Sequence, residues 1–285
     1  LALVVGVHGI GNEYRGEAVM HSNWFPAMLD GLRRAGAGLE PADLICAFYG
    51  DVFRPASRTL SSEIPWYEAD DVRDEIELGL LETWWEHAAC HDTALVGPEE
   101  RTLARTPRSV QRALDALSNS KFFAGIAERA MIFSLKQVRN YFTDEHVRKA
   151  AIERVADAVG TDTRVLVGHS LGSVVAYEAL CAHPEWPVHT LVTLGSPLGI
   201  RNLVFDRLRP PADEHGLGRW PGSAAGWSNI VDDGDIVALR KDLRPLFGDR
   251  VSTTVVHCGA RAHDATRYLT SEATGRAIAA AFRHV

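Results

Sequence analysis

Cysteine is scarce in this sequence, with four in 285 residues. They stand at positions 46, 90, 181 and 258 with no CxxC pair, so neither a zinc site nor a dense disulfide framework is suggested. All four are expected as small buried apolar residues. No uninterrupted apolar run approaches the ~20 residues that a membrane span needs, and Leu1 to Val7 has no basic flank of the kind that opens a signal peptide. Basic residues are in deficit, 30 against 37 acidic ones for a formal charge of −7, which removes any global pull toward nucleic acid or an anionic membrane. Internal repeats and low-complexity tracts are missing too. These absences predict a cytoplasmic protein with no nucleic-acid partner and no integral membrane association, and they carry no signal for or against oligomerisation. Because Leu1 opens directly on a strand-like segment, residues upstream of it are expected.

What is there suits a large α/β domain with an insertion: 46% of residues are hydrophobic and 24% charged, enough for a sizeable core. Ala2 to Val7 is a short valine-rich run that stops at a glycine-bearing loop, as a buried strand does. Helical spacing follows from Glu17 to Ala35, and Leu44 to Tyr49 reads as a second core strand. Strand, helix, strand is the pattern of a parallel sheet.

Between Asp51 and Tyr141 helical patterns take over, with Val72, Ile76, Leu80 and Trp84 at four-residue intervals. A helix is expected to start at Thr106-Pro107, a capping residue before a first-turn proline. An aromatic-rich helix is expected through Phe122, Phe123, Ile126, Ala130, Phe133 and Val138. The acidic residues Glu68, Asp70, Asp71, Asp74, Glu75 and Glu77 read as a solvated face favoured by a helix N-terminus. This predicts a helical cap over 51–142, inserted between two parts of an α/β core, 1–50 and 143–285.

The alternation resumes with a helix over about Asp144 to Val159, capped by Thr143, and a strand from Arg164 to Val167. A helix over Val174 to Ala182 comes next. Thr190 to Leu194, Trp227 to Val231 and Thr253 to His257 read as strands, and Glu272 to Arg283 as the last helix. Phe205 to Gly226, rich in proline and glycine, reads as a long irregular loop of the kind often used for function.

Between the strand at 164–167 and its helix stands Gly168-His169-Ser170-Leu171-Gly172. A G-x-S-x-G sequence in that context is a nucleophile elbow: small residues let the backbone double back and lift the serine hydroxyl above the sheet. Ser170 is the expected nucleophile; the alternative is a helix N-cap serine between two packing glycines. The amide after the nucleophile, Leu171 N–H, can serve as one oxyanion donor.

With Val7-His8-Gly9-Ile10-Gly11 after its first strand, the chain resembles the α/β-hydrolase superfamily, in particular bacterial lipases and esterases. The resemblance implies an α/β-hydrolase fold, a mostly parallel central sheet flanked by helices, with the cap inserted before the nucleophile strand. It implies Ile10 N–H as the second oxyanion donor and a structural role for His8. It also implies a triad in the order serine, acid, histidine, with both partners after later strands. Asp235, in Asp232-Asp233-Gly234-Asp235-Ile236-Val237, is then the expected acid, with Asp232 as the competing choice. His263, at the end of Cys258-Gly259-Ala260-Arg261-Ala262-His263, is the expected base ahead of His257, which is read as still in the strand. Gly195-Ser196-Pro197 resembles a lipase strand end, with Ser196 as architectural support.

These residues predict a serine hydrolase that cleaves carboxylic esters through an acyl-serine, with no metal and no cofactor. An acyltransferase or thioesterase could use the same triad, and a non-catalytic binding module could keep the same fold. The aromatic content of the insertion adds the expectation of a small-molecule ester with an apolar part, contacted by Trp84 and Phe122.

Overall fold

The computed structural model describes residues 2–54, 65–98, 106–123, 127–222, 224–259 and 261–283. Of the residues named above, Leu1, Ile126 and Ala260 lie outside them. Six segments form strands: β1 (Val4–Val7), β2 (Leu44–Ala47), β3 (Val165–His169), β4 (Thr190–Leu194), β5 (Gly226–Asp232) and β6 (Val251–Val256). They make one sheet in the order β2-β1-β3-β4-β5-β6, and every neighbouring pair is parallel. Every residue of β1 and β3 is buried, as befits central parallel strands covered on both faces.

The helices are α1 (Glu17–Arg34), α2 (Glu75–His91), α3 (Pro107–Ser118), α4 (Glu128–Thr143), α5 (Glu145–Ala158), α6 (Leu171–Ala182), α7 (Arg244–Phe247), α8 (Ala265–Leu269) and α9 (Glu272–Phe282). Val4, Val165, Val167, Val192, Leu194 and Ile230 join one buried layer with α1, α8 and α9. Alternate strand residues point to the opposite face. There Tyr177 of α6 packs its ring 5.6 Å from that of Trp227. Successive strands run from β1 outward to β2, then return across β1 to β3 and continue to β6. The order thus reverses between β1 and β3, where α1 and α6 leave for opposite faces, and the carboxyl ends of two such strands border a crevice.

The chain divides into two units, Leu1–Val52 with Arg148–Val285, and Phe53–Val147. The second unit contains α2, α3 and α4, with Ile76, Leu80, Trp84, Leu114, Leu117, Met131 and Leu135 all buried. Its acidic residues are not all a solvated face. Asp74 caps α2 by accepting from the Ile76 N–H at 2.8 Å. Glu77 is buried and paired with Lys136 at 3.3 Å and Arg139 at 3.4 Å.

Several local expectations need correcting. Phe122 and Phe123 lie in a turn before α4, not within a helix. The cap of α5 is Asp144, whose Oδ1 accepts from the His146 N–H at 2.9 Å; the Thr143 hydroxyl instead donates back to Arg139 O and closes α4. β6 ends at Val256, so His257 stands outside it. Cys90 is exposed, unlike the other three cysteines. The loop after β4 is tied down from beneath: Arg148, in a buried pair with Glu178, also donates to Arg207 O at 2.7 Å, and the Arg209 N–H donates to Glu178 at 2.8 Å.

Candidate active site

Ser170 joins β3 to α6 at φ 53° and ψ −130°, a backbone state that costs a non-glycine residue about 1–3 kcal/mol. The flanking glycines show why the turn can be so sharp. A Cβ at Gly168 would stand 2.6 Å from Ser173 Cα, and one at Gly172 would stand 2.2 Å from both Val7 O and His8 O. Only hydrogen fits there, so α6 can begin directly against the end of β1.

A chain of polar groups holds the bend. The Leu198 N–H donates to Ser196 Oγ at 3.2 Å. With the Ser173 proton directed to Ser170 O at 2.6 Å, Ser196 Oγ–H donates to Ser173 Oγ at 2.6 Å. Ser196 is therefore a buried tie between β4 and the elbow.

The Ser170 hydroxyl lies 2.9 Å from His263 Nε2, and His263 Nδ1 lies 2.8 Å from Asp235 Oδ2. An ionised carboxylate can only accept, which puts the ring proton on Nδ1 and leaves Nε2 to accept from serine. Asp235 follows β5, and His263 lies in the loop between β6 and α8. Gly195, at φ 54°, makes room for the pair, since a Cβ there would meet Asp235 Oδ2 at 2.6 Å and His263 Nδ1 at 3.1 Å.

Asp235 is buried among donors. Its Oδ1 accepts from the Val237 N–H at 2.9 Å and the Ala238 N–H at 3.3 Å, and its Oδ2 accepts from the Tyr268 hydroxyl at 2.7 Å as well as from His263. Burial pushes this carboxyl up, but the His263 charge and the hydrogen bonds from His263, Tyr268 and Val237 outweigh it, lowering the group to about 2. Lys241 Nζ spans the turn, donating to Asp232 O at 2.6 Å and Asp235 O at 2.8 Å.

The competing residues are placed differently. Asp232 accepts from the Gly234 N–H at 2.7 Å and from the Cys258 N–H, so its carboxylate staples β5 to the end of β6. The His257 side chain is 91% exposed. His8 donates from Nδ1 to Gly9 O at 2.6 Å and accepts the Tyr49 N–H on Nε2 at 3.1 Å. Both nitrogens are engaged, and burial lowers the group to about 4. His8 therefore braces its loop.

That loop lies against Ser170. A Cβ at Gly9 would stand 2.7 Å from Ser170 Cβ, and Asn12 Nδ2 donates to Gly9 O at 3.0 Å and Ile10 O at 3.2 Å. Among the described residues neither the Ile10 N–H nor the Leu171 N–H donates to a protein acceptor.

Two neighbours were not singled out from the sequence. His169 donates from Nε2 to His263 O at 2.9 Å and packs its ring 4.7 Å from that of His263; burial lowers it to about 3. Its signal was the position before the elbow serine, where it passes for a filler. Tyr268 gave no local signal, because it sits in α8, a helix too short to show periodicity.

Trp84 and Phe122 belong to the second unit. Trp84 is buried, its ring 5.7 Å from that of Phe123. Phe122 is half-buried, with Lys121 Nζ 5.1 Å from its ring centroid.

Among the described residues no group of three His, Cys, Asp or Glu is placed to hold a metal ion, and no helix is long and apolar enough to cross a membrane. Comparison with protein-family profiles, with curated proteins and with solved structures finds no match to this chain.

Proposed function

We propose that the chain is a serine hydrolase of the α/β-hydrolase type that cleaves carboxylic esters through an acyl-Ser170 intermediate. The observation that carries this reading is the unbroken chain Ser170 Oγ, His263, Asp235 Oδ2 at 2.9 and 2.8 Å, mounted on a turn with positive φ at a serine. The strand order supports it as well, because Ser170 and the Gly9–Ile10 backbone meet at the point where that order reverses.

In the proposed cycle Ser170 Oγ attacks the ester carbonyl carbon as its proton passes to His263 Nε2. Asp235 holds the ring tautomer and steadies the imidazolium. The developing oxyanion is received by the Ile10 and Leu171 N–H groups. His263 then gives its proton to the leaving alcohol oxygen, and the carbon–oxygen bond breaks to leave the acyl-serine. Water attacks that ester while His263 takes its proton, and the proton returns to Ser170 as the acid departs. Side chains and backbone carry every charge in this cycle, so it calls for neither metal nor cofactor.

A fluorophosphonate probe and a panel of esters and thioesters of graded chain length test the reading. Wild type should be labelled at Ser170 and should hydrolyse esters, and Ser170→Ala should lose labelling and about 10⁴-fold or more of the turnover. Unlabelled, inert wild type, or substantial turnover by folded Ser170→Ala, would end it.

A further inference from the structure

We infer that Tyr268 is a positioning residue for the acid–histidine pair: its hydroxyl, bound to the same Asp235 oxygen as the His263 ring, sets how strongly that carboxylate draws on the imidazole. The inference deepens the hydrolase reading and rests on it for its kinetic consequence.

Four donors converge on Asp235. Those on Oδ1 are backbone amides of the turn itself, Val237 and Ala238. Those on Oδ2 are side chains, His263 at 2.8 Å and Tyr268 at 2.7 Å. The phenol proton has little choice of direction, because the Asp232 N–H donates into the same hydroxyl oxygen at 2.9 Å. Tyr268 is fully buried; burial, and next the Asp235 charge, push its phenol well above the ordinary range, so it stays a protonated donor. A donor on Oδ2 draws negative charge toward itself, and the same oxygen then accepts less strongly from His263 Nδ1–H. The imidazolium is held less firmly and the ring is a weaker base.

Other groups face this pair. The His169 ring lies 4.7 Å from that of His263, and Ser170 Oγ touches Nε2. Asp264 adjoins His263 in the chain. Lys241 Nζ is bound to the carbonyls of Asp232 and Asp235, and Asp232, Asp233 and Cys258 lie around the end of β5 and β6. Tyr268→Phe removes none of these. It keeps the ring in its layer with α1 and α9 and deletes only the hydroxyl.

The test is an NMR titration of the His263 ring in wild type, in Tyr268→Phe and in protein carrying 3-fluorotyrosine at position 268, a stronger donor of the same shape. The pH profile of ester kcat/KM is recorded alongside. The Phe variant should raise the His263 midpoint by about 0.5–1 pH unit and move the acid limb of kcat/KM with it, while fluorotyrosine should move both the other way. A lost structural hydroxyl would lower the unfolding midpoint without shifting the ring titration in opposite senses. Unmoved midpoints, or shifts of the same sign in both proteins, would overturn the inference. If Tyr268→Phe fails to fold, the fluorotyrosine protein decides alone. The titration needs no substrate, so shifted midpoints in a protein that neither hydrolyses esters nor takes the probe would sink the hydrolase reading only.

Discussion

Gly9 touches the candidate nucleophile: a Cβ at Gly9 would stand 2.7 Å from Ser170 Cβ and 3.2 Å from Ser170 Oγ. Carbon atoms do not approach so closely, so Gly9→Ala must displace either the loop after β1 or the elbow. A displacement of about 1 Å in a catalytic constellation costs on the order of 10²-fold. Ester turnover by Gly9→Ala should fall by about that factor, whereas Gly16→Ala, where a Cβ meets nothing within 4 Å, should retain wild-type rates. Full turnover by Gly9→Ala would show that this loop takes no part in the site.

Ser170 holds φ 53° with a side chain, and glycine adopts that region freely. Ser170→Gly and Ser170→Ala should both be inactive, yet the glycine variant should be the more stable by about 1–3 kcal/mol. Urea unfolding of the two proteins measures the difference. Equal stabilities would mean that the elbow is not strained at this residue.

The two carboxylates of the acid turn should separate by kind of damage. Asp235→Asn is expected to cut turnover by on the order of 10⁴-fold with the fold retained. Asp232→Asn keeps one side-chain oxygen and so leaves one of the Gly234 and Cys258 amides without its acceptor; it should cost about 1–3 kcal/mol of stability, with turnover of the folded fraction much less affected. His257→Gln should change neither. Turnover per folded molecule, compared across the three variants, decides the assignment; a crippled, well-folded Asp232→Asn would move the acid within the turn.

Truncation in the helical unit should also split. Trp84 is 4% exposed and its indole nitrogen has no hydrogen-bond partner among the described residues, so Trp84→Ala is expected to lose about 3–5 kcal/mol. Phe122 is half-buried, so Phe122→Ala should cost much less, and urea unfolding of the two variants measures the difference. Equal losses in the two variants would count against Trp84 as a core ring of this unit.

The sheet and the elbow were legible because their signals are local. Short runs of apolar and β-branched residues gave all six strands within a few residues, and the glycines at 168 and 172 mark a turn that only hydrogen can fill. The relation of Ser170 to Asp235 and His263 was legible only through chain order, and the choice between Asp232 and Asp235 depended on contacts far apart in sequence. What stayed hidden is what tertiary packing alone creates. Tyr268 reaches Asp235 from a five-residue helix, and Gly195 clears a space whose occupants lie 40 and 68 residues further along the chain. Thr143 and Asp144 both suit an N-cap, and the hydroxyl of Thr143 was already taken by the last turn of α4.

Two buried histidines give the fold an acid sensitivity that belongs to its site. Burial lowers His8 to about 4 and His169 to about 3, against 6.5 for an unperturbed ring. Between 6.5 and those values the unfolded chain binds protons that the folded chain does not, so stability falls as pH falls. Above 6.5 both states leave the rings neutral and the contribution is flat. Each histidine adds a slope of up to about 1.4 kcal/mol per pH unit inside its window. His169→Gln removes one titrating ring and can still donate an N–H toward His263 O. Its urea midpoint should therefore drop less than that of wild type between pH 7 and pH 5, even if it starts lower. Equal drops in the two proteins would mean that His169 is not held neutral by its burial beside His263.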